Sequence, residues 1–264
     1  MPFFNPQASQ TYQPGLLEQD VFTLPLEAGL IGVMSEFYTP GQPLWPFQNE
    51  RAFGPQNPTR HTKRMLAIGP GSIATPLLAG LSYTNEQFPL GIVFRAWVHA
   101  HLVTEMATTF AKVTFQRHRP FYDSAAQRGT PSADSHFSFF SGHASHAFAF
   151  ATFSSSLIFN YVDYPIVPYA YTVAIFTTAT WIASARAIDG QHRWSDVGTA
   201  AVVGTVLSRV VFSQMLEVVQ KQKDLDENLS RPSPRPWSFT PGFADVESPQ
   251  KSALSFSLTV KKDL

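Results

Sequence analysis

The sequence predicts an all-α protein, a six-helix bundle that spans a membrane, on three observations. Six apolar segments recur along the chain, each near the ~20 residues a helix needs to cross a hydrocarbon core. These segments are rich in the Gly, Ala, Ser and Thr that let membrane helices approach closely. The stretches between and around them hold the prolines that mark irregular connections.

Taken in order, residues 1–20 are polar and carry Pro2, Pro6 and Pro14, so they read as an irregular segment. The helical domain follows over residues 21–220. Its segments are Val21–Thr39, Met65–Tyr83, Phe88–Val113, His143–Val162, Tyr164–Ile188 and Ser195–Val219, and the Thr39–Arg64 connection holds five prolines. After Lys221 the chain turns charged, then Pro-rich over Arg231–Trp237. "SFSLTV" at Ser255–Val260 alternates polar with apolar, the period of a half-buried strand. With "WSFTPGF" upstream it predicts a β-hairpin within residues 221–264.

Composition bounds the function. The chain has 264 residues, 44% of them hydrophobic, and its 19 basic and 19 acidic side chains cancel, so no net charge draws it to nucleic acid. It has no cysteine, which excludes disulfides, thiolate nucleophiles and cysteine metal sites. No Lys or Arg precedes Arg51, so no cleavable secretory signal is expected and the helices themselves must hold the chain in a bilayer. Glu27, Glu36, Arg95, His99, His101 and Glu105 interrupt the first and third segments, and the mean hydropathy is only −0.06. A soluble bundle with buried apolar helices is therefore the second reading of the same pattern.

Three polar groups stand at segment ends. In "KVTFQRHRP", Lys112 closes the third segment and Arg119-Pro120 follows; alone this reads as a cation cluster snorkelling at a membrane surface. In "FFSGHASHAFAFATF", Ser141-Gly142 before a helix aims unpaired backbone N–H groups at an anion, with His143 beside it. The simpler reading is a serine N-cap with histidines at a polar rim, and His146, one turn further in, fits that reading better. No carboxylate at helical spacing makes His143 and His146 a metal pair.

In "ARAIDGQHRWSDVG", Arg186 precedes His192, and Asp196 follows four residues later. Helical geometry there would let Asp196 accept a hydrogen bond from Nδ1–H of His192 and leave Nε2 free as a nucleophile; a surface His–Asp pair is the simpler alternative. Asp189 and Arg193 read as loop solvation or capping. If the six segments alternate in direction, all three groups fall on one side. Two arginines, a lysine and a helix N-terminus then converge on one spot, which suits a doubly charged phosphate.

Lys-x6-Arg-Pro, Ser-Gly-His and Arg-x5-His-x3-Asp, in this order from Lys112 to about Gly204, resemble the type 2 phosphatidic acid phosphatases. That superfamily also holds bacterial acid phosphatases and vanadium haloperoxidases, and the resemblance implies their bundle. It implies that Lys112, Arg119 and Arg186 hold the phosphate oxygens and that Ser141 and the Gly142 amide add donors. His192 then attacks phosphorus, Asp196 orients His192, and His143 protonates the leaving alkoxide, with no metal and no other cofactor. Two positions depart from the family pattern. Phe140 stands where Pro usually precedes Ser-Gly-His, and Ala185, with Ser184 one place earlier, stands where Ser usually precedes the arginine.

The membrane reading makes the substrate a lipid phosphate or pyrophosphate and the partner a bilayer, with phosphatidate, phosphatidylglycerophosphate, an isoprenyl pyrophosphate and lipid A all presenting the same group. The resemblance puts the protein in the inner membrane with its active site on the periplasmic or exterior face. Arg51, Arg60, Lys63, Arg64, Arg117 and Arg128 fall on the same side, a basic excess that argues for the opposite orientation. The alternatives are a soluble or peripheral acid phosphatase, a vanadium haloperoxidase, and a non-catalytic protein that binds anionic lipid.

Overall fold

Six α-helices and one short 3-10 turn make up the chain as it is described by a computed structural model covering residues 16–36, 70–85, 88–122, 125, 129 and 133–230. They are α1 (Leu16–Glu36), α2 (Pro70–Thr84), α3 (Leu90–Phe115), α4 (Gly142–Tyr161), α5 (Val167–Ile188) and α6 (Trp194–Ser230), with the 3-10 turn at Ala133–His136 between α3 and α4. Each helix overlaps one expected segment, and no strand occurs among the described residues. The expected C-terminal hairpin lies outside them.

The chain divides into two units at Val219–Gln220. In the second, the described residues are the last turns of α6, where Gln220 and Gln222 donate amide hydrogen bonds to Asp224 and Asp226 one turn on. These i,i+4 bonds explain why α6 runs to Ser230, beyond the apolar stretch that predicted an end at Val219.

In the first unit, local chemistry sets the helix ends that matter. Gln116, at φ 42°, turns α3 off in the left-handed region, and its N–H bonds back to Lys112 O. Ser141 caps α4: its Oγ accepts the Ala144 N–H at 3.4 Å. Pro168 opens α5, where its missing N–H costs nothing. Two hydroxyls inside the bundle bond back to their own helix, Thr104 to Ala100 O and Ser154 to Phe150 O, so these are buried without loss of a partner.

Two buried clusters fill the bundle. One packs Leu78 and Leu81 of α2, Phe88, Val93 of α3, Phe153 and Leu157 of α4, and Phe212 and Met215 of α6. The other, at the opposite end, is made mostly of small residues: Ala111 of α3, Ala144 of α4, Ala183 of α5 and Ala200 of α6, with Phe140 and Val197. Between them α6 touches α4 backbone to backbone. A Cβ on Gly204 would stand 2.1 Å from Ser145 O, so only glycine fits.

Glu27, His99, His101 and Glu105, which interrupt the apolar segments, find partners. His99 Nδ1 lies 3.2 Å from Glu27 Oε2, joining α1 to α3, and His146 Nε2 lies 2.8 Å from Glu105 Oε2, joining α3 to α4. Among the described helices only α6 is long and apolar enough to cross a membrane. Polar side chains and histidines dilute the others, and α2, at 15 residues, reaches only about 22 Å.

Candidate active site

The loop after α3, the start of α4, the end of α5 and the start of α6 meet at one end of the bundle, as the alternation of segments requires. Lys112 is in the last turn of α3, and its Nζ lies 3.8 Å from where a Gly142 Cβ would stand. The close neighbour of that position is Thr108, whose Cγ2 would stand 3.3 Å from the Cβ, so α3 and α4 pack tightly beside the ammonium. The Lys112 ammonium makes no hydrogen bond or ion pair with the described residues. The first turn of α4 keeps the Gly142 and His143 N–H groups unused within the helix, because Ala144 N–H goes to Ser141 Oγ and Ser145 N–H to Ser141 O.

Arg119 is buried and fixed from two sides. Its Nε donates to Asp134 O at 2.8 Å, its Nη2 pairs with Asp134 Oδ1 at 2.7 Å, and its Nη1 reaches the Gln191 side chain at 3.2 Å. The guanidinium is thus held by the 3-10 turn below and by the residue before His192. Arg186, also buried, is in the last turn of α5, and its carbonyl accepts the N–H groups of Gln191 and His192. The loop that carries His192 therefore folds back on the residue that carries the third cation.

His192 is 3% exposed, and its Nδ1 lies 2.7 Å from Ser138 O. A carbonyl can only accept, so Nδ1 carries the proton and Nε2 carries the lone pair. This is the tautomer the sequence predicts, but a different group sets it. Asp196 does not reach His192. It is fully buried and accepts from Arg117 Nη1 at 2.6 Å, from the Ser138 hydroxyl and from Arg193 N–H at 2.9 Å, while its own carbonyl accepts Ser141 N–H at 3.3 Å. The correction has a simple cause. A hydrogen bond across four residues presumes a helix from 192 to 196, and α6 begins only at Trp194. Asp196 instead ties together Ser138, Arg117 and Ser141, and so positions the carbonyl that holds His192.

Charge converges on both histidines. Burial, then Arg119 and Arg186, push His192 well below its ordinary value, with Ser138 O opposing and Lys112 adding to the fall. Burial, then Arg186, Lys112, Arg119 and His146, push His143 down to about 4. The three predicted cations thus act on the same two rings, and an anion seated among them would reverse the effect on both.

Four residues of this site escape the sequence reading as site residues. Arg117 looks like one more surface cation, yet it is buried against Asp196 and Ser195 Oγ. Asp134 and Gln191 hold Arg119, and Ser138 offers a backbone carbonyl, which leaves no trace in residue type. His146, read as a rim residue, bonds both to Glu105 and to His101, with 2.9 Å between the two Nδ1 atoms. Among the described residues no group of three His, Asp or Glu side chains is placed to hold a metal ion.

Residues 96–220 match the family model of the PAP2 superfamily, a span that contains every predicted site residue. No curated protein and no solved structure matches the chain.

Proposed function

We propose, from the premise that this chain belongs to the PAP2 superfamily through residues 96–220, that it hydrolyses the phosphomonoester of a lipid through a phosphohistidine on His192. Membership implies phosphatase-type chemistry. One observation carries the mechanism: the Nδ1–H of His192 is committed to Ser138 O, which leaves Nε2 as a buried lone pair within the field of Lys112, Arg119 and Arg186.

The steps follow from that geometry. The three cations and the free N–H groups of Gly142 and His143 receive the phosphoryl oxygens, since phosphoryl transfer gains most from positioning and from positive charge around those oxygens. Nε2 of His192 forms a bond to phosphorus as the ester P–O bond breaks. The ring becomes cationic, and Ser138 O stabilises it through the shared proton. His143 is neutral at pH 7 while the site is empty; a phosphoryl dianion beside it cancels the repulsion of Arg186, Lys112 and Arg119 and raises its proton affinity. It takes up a proton as the substrate binds and gives that proton to the leaving alkoxide. In the second half His143 takes a proton from water, the hydroxide attacks phosphorus, the P–N bond breaks, and His143 releases its proton as phosphate leaves, so that both rings are neutral again.

The lipid part of the reading is supported by the outer surface. Val202, Val206 and Val210 make an exposed stripe along α6, the candidate membrane span, and Tyr169, Val173 and Trp181 are exposed on α5. Both site histidines lie at the helix ends, beyond these apolar runs. In this proposal the site end faces the periplasm or exterior. The chain has no cysteine, so Tyr164→Cys and Trp194→Cys, at opposite ends of the bundle, give single labels that report orientation in intact cells.

The test is phosphate release from detergent-solubilised protein, in chelator, across lipid and soluble phosphomonoesters. Release that survives chelator and is lost in His192→Ala supports the reading. No release from folded protein on any of them contradicts it, and vanadate-dependent halide oxidation would then be assayed instead.

A further inference from the structure

We propose that Glu105, His146 and His101 form a second polar subsite on the seam between α3 and α4 that recognises the leaving alcohol, and that it selects substrates whose alcohol carries a hydroxyl or ammonium donor. This rests on the phosphatase reading above. The seam has three polar rungs. At the active site, Gly142 of α4 meets Thr108 and Lys112 of α3. One step along, Thr108 Oγ1 and Ser145 Oγ are 3.1 Å apart. At the third, Glu105 Oε2 and His146 Nε2 are 2.8 Å apart, and His146 Nδ1 lies 2.9 Å from His101 Nδ1. His143 and His146 stand three residues apart on one helix face, about 5–6 Å between Cβ atoms. A leaving group whose ester oxygen is beside His143 therefore runs on towards His146. The third rung is open to it: the side chains of Glu105 and His146 are 41% and 24% exposed.

The direction of the hydrogen bonds decides what binds. The Glu105 carboxylate only accepts, so His146 donates to it from Nε2. Glu105 Oε1 receives only the long 3.3 Å bond from Thr109. The open valence the carboxylate offers is thus an acceptor on an anion. Such a site favours a hydroxyl or ammonium, leaves its acceptors unpaired against a plain alkyl chain, and repels the second phosphate of a diphosphate. A carboxylate and two histidines between otherwise apolar helices are costly to keep without such a use.

The experiment uses the full chain in detergent and three substrates matched in chain length: a phosphomonoester with a hydroxyl on the carbon next to the ester carbon, the same compound lacking that hydroxyl, and the corresponding alkyl diphosphate. The readout is the ratio of kcat/KM between substrates, which does not depend on the fraction of protein that is active. The wild type is expected to favour the hydroxylated ester over the plain one by about tenfold or more and to disfavour the diphosphate. Glu105→Gln is expected to shrink both preferences. If Glu105→Gln does not fold, His146→Gln and His101→Leu report the same ratios. Equal kcat/KM for hydroxylated and plain esters in the wild type, or unchanged ratios in the variants, overturns the subsite while phosphate release upholds the phosphatase. No release from any substrate by folded wild type overturns both.

Discussion

At one end of the bundle Phe153, Leu157, Phe212 and Met215 interlock with Leu78, Leu81, Phe88 and Val93; at the other the helices meet through Ala111, Ala144, Ala183 and Ala200. The aromatic and aliphatic end buries the large side chains that supply most of the hydrophobic stabilisation. The alanine end brings backbones close, and it buries Arg117, Arg119, Arg186, His192 and Asp196. Like-signed charges held together out of water oppose folding, and the apolar end offsets them. The candidate site thus lies where packing is least stabilising, and the large-residue core lies at the other end.

Mutations at the two ends should separate these roles. Asp196→Asn is expected to have the largest effect. It leaves the buried Arg117 without its carboxylate, a loss of about 3–5 kcal/mol for a broken buried pair, and it loosens Ser138 and with it the His192 tautomer. Both Tm and kcat should fall. Phe212→Ala removes a fully buried ring at the other end, a comparable loss of about 3–5 kcal/mol, so Tm should fall while kcat at a temperature where the protein is folded is retained. If kcat fell equally in both, the division between the ends would be wrong.

Gly204→Ala probes the contact between α4 and α6. The added methyl meets Ser145 O, and the helices must part, at a cost of about 1–3 kcal/mol for overpacking. The shift is passed to Ser141 and Asp196, whose backbone groups bond to each other across the same pair of helices, so a modest drop in kcat accompanies the fall in Tm.

The smallest effect is one of pH. With the site empty, burial and the surrounding cations hold His143 at about 4 and hold His192 low as well. A ring whose folded value lies below its unfolded one, near 6.5, stabilises the fold at pH above the unfolded value, and that stability is lost as pH falls towards the folded value. Tm of the free protein should therefore decline from pH 7 to pH 4. Sulfate, which stays a dianion over this range, raises both imidazoles when it binds and so takes up protons. Its affinity, measured by titration calorimetry or thermal shift, should increase as pH falls from 7 towards 5, and a flat profile would place the rings outside the anion site.

Much of this was legible in the residues. The six apolar segments place every helix, because burial at one end and close small-residue contacts at the other leave an apolar run in each. The three linked motifs place Lys112, Arg119, Ser141, Gly142, His143, Arg186 and His192 at one end, because each motif falls at the end of an apolar segment and the segments alternate in direction. The partners of those residues were not legible. Ser138 acts through its carbonyl, and Asp134 and Gln191 reach Arg119 only after the loops between helices have folded. Asp196 was misassigned because a spacing of four implies contact only inside a helix, and His192 precedes the helix that holds Asp196. His146 looked incidental because its partners, His101 and Glu105, are on another helix more than forty positions away and no local pattern links them.

The central claim is that Nε2 of His192, freed by the bond from Nδ1–H to Ser138 O, is the nucleophile. The direct measurement is a rapid quench of the detergent-solubilised enzyme turning over a phosphomonoester, followed by mass spectrometry under conditions that preserve phosphoramidates. The account predicts an acid-labile phosphoryl group on the peptide containing His192, absent in His192→Ala. A phosphoryl group on any other residue, or turnover by His192→Ala at the wild-type rate, would contradict it.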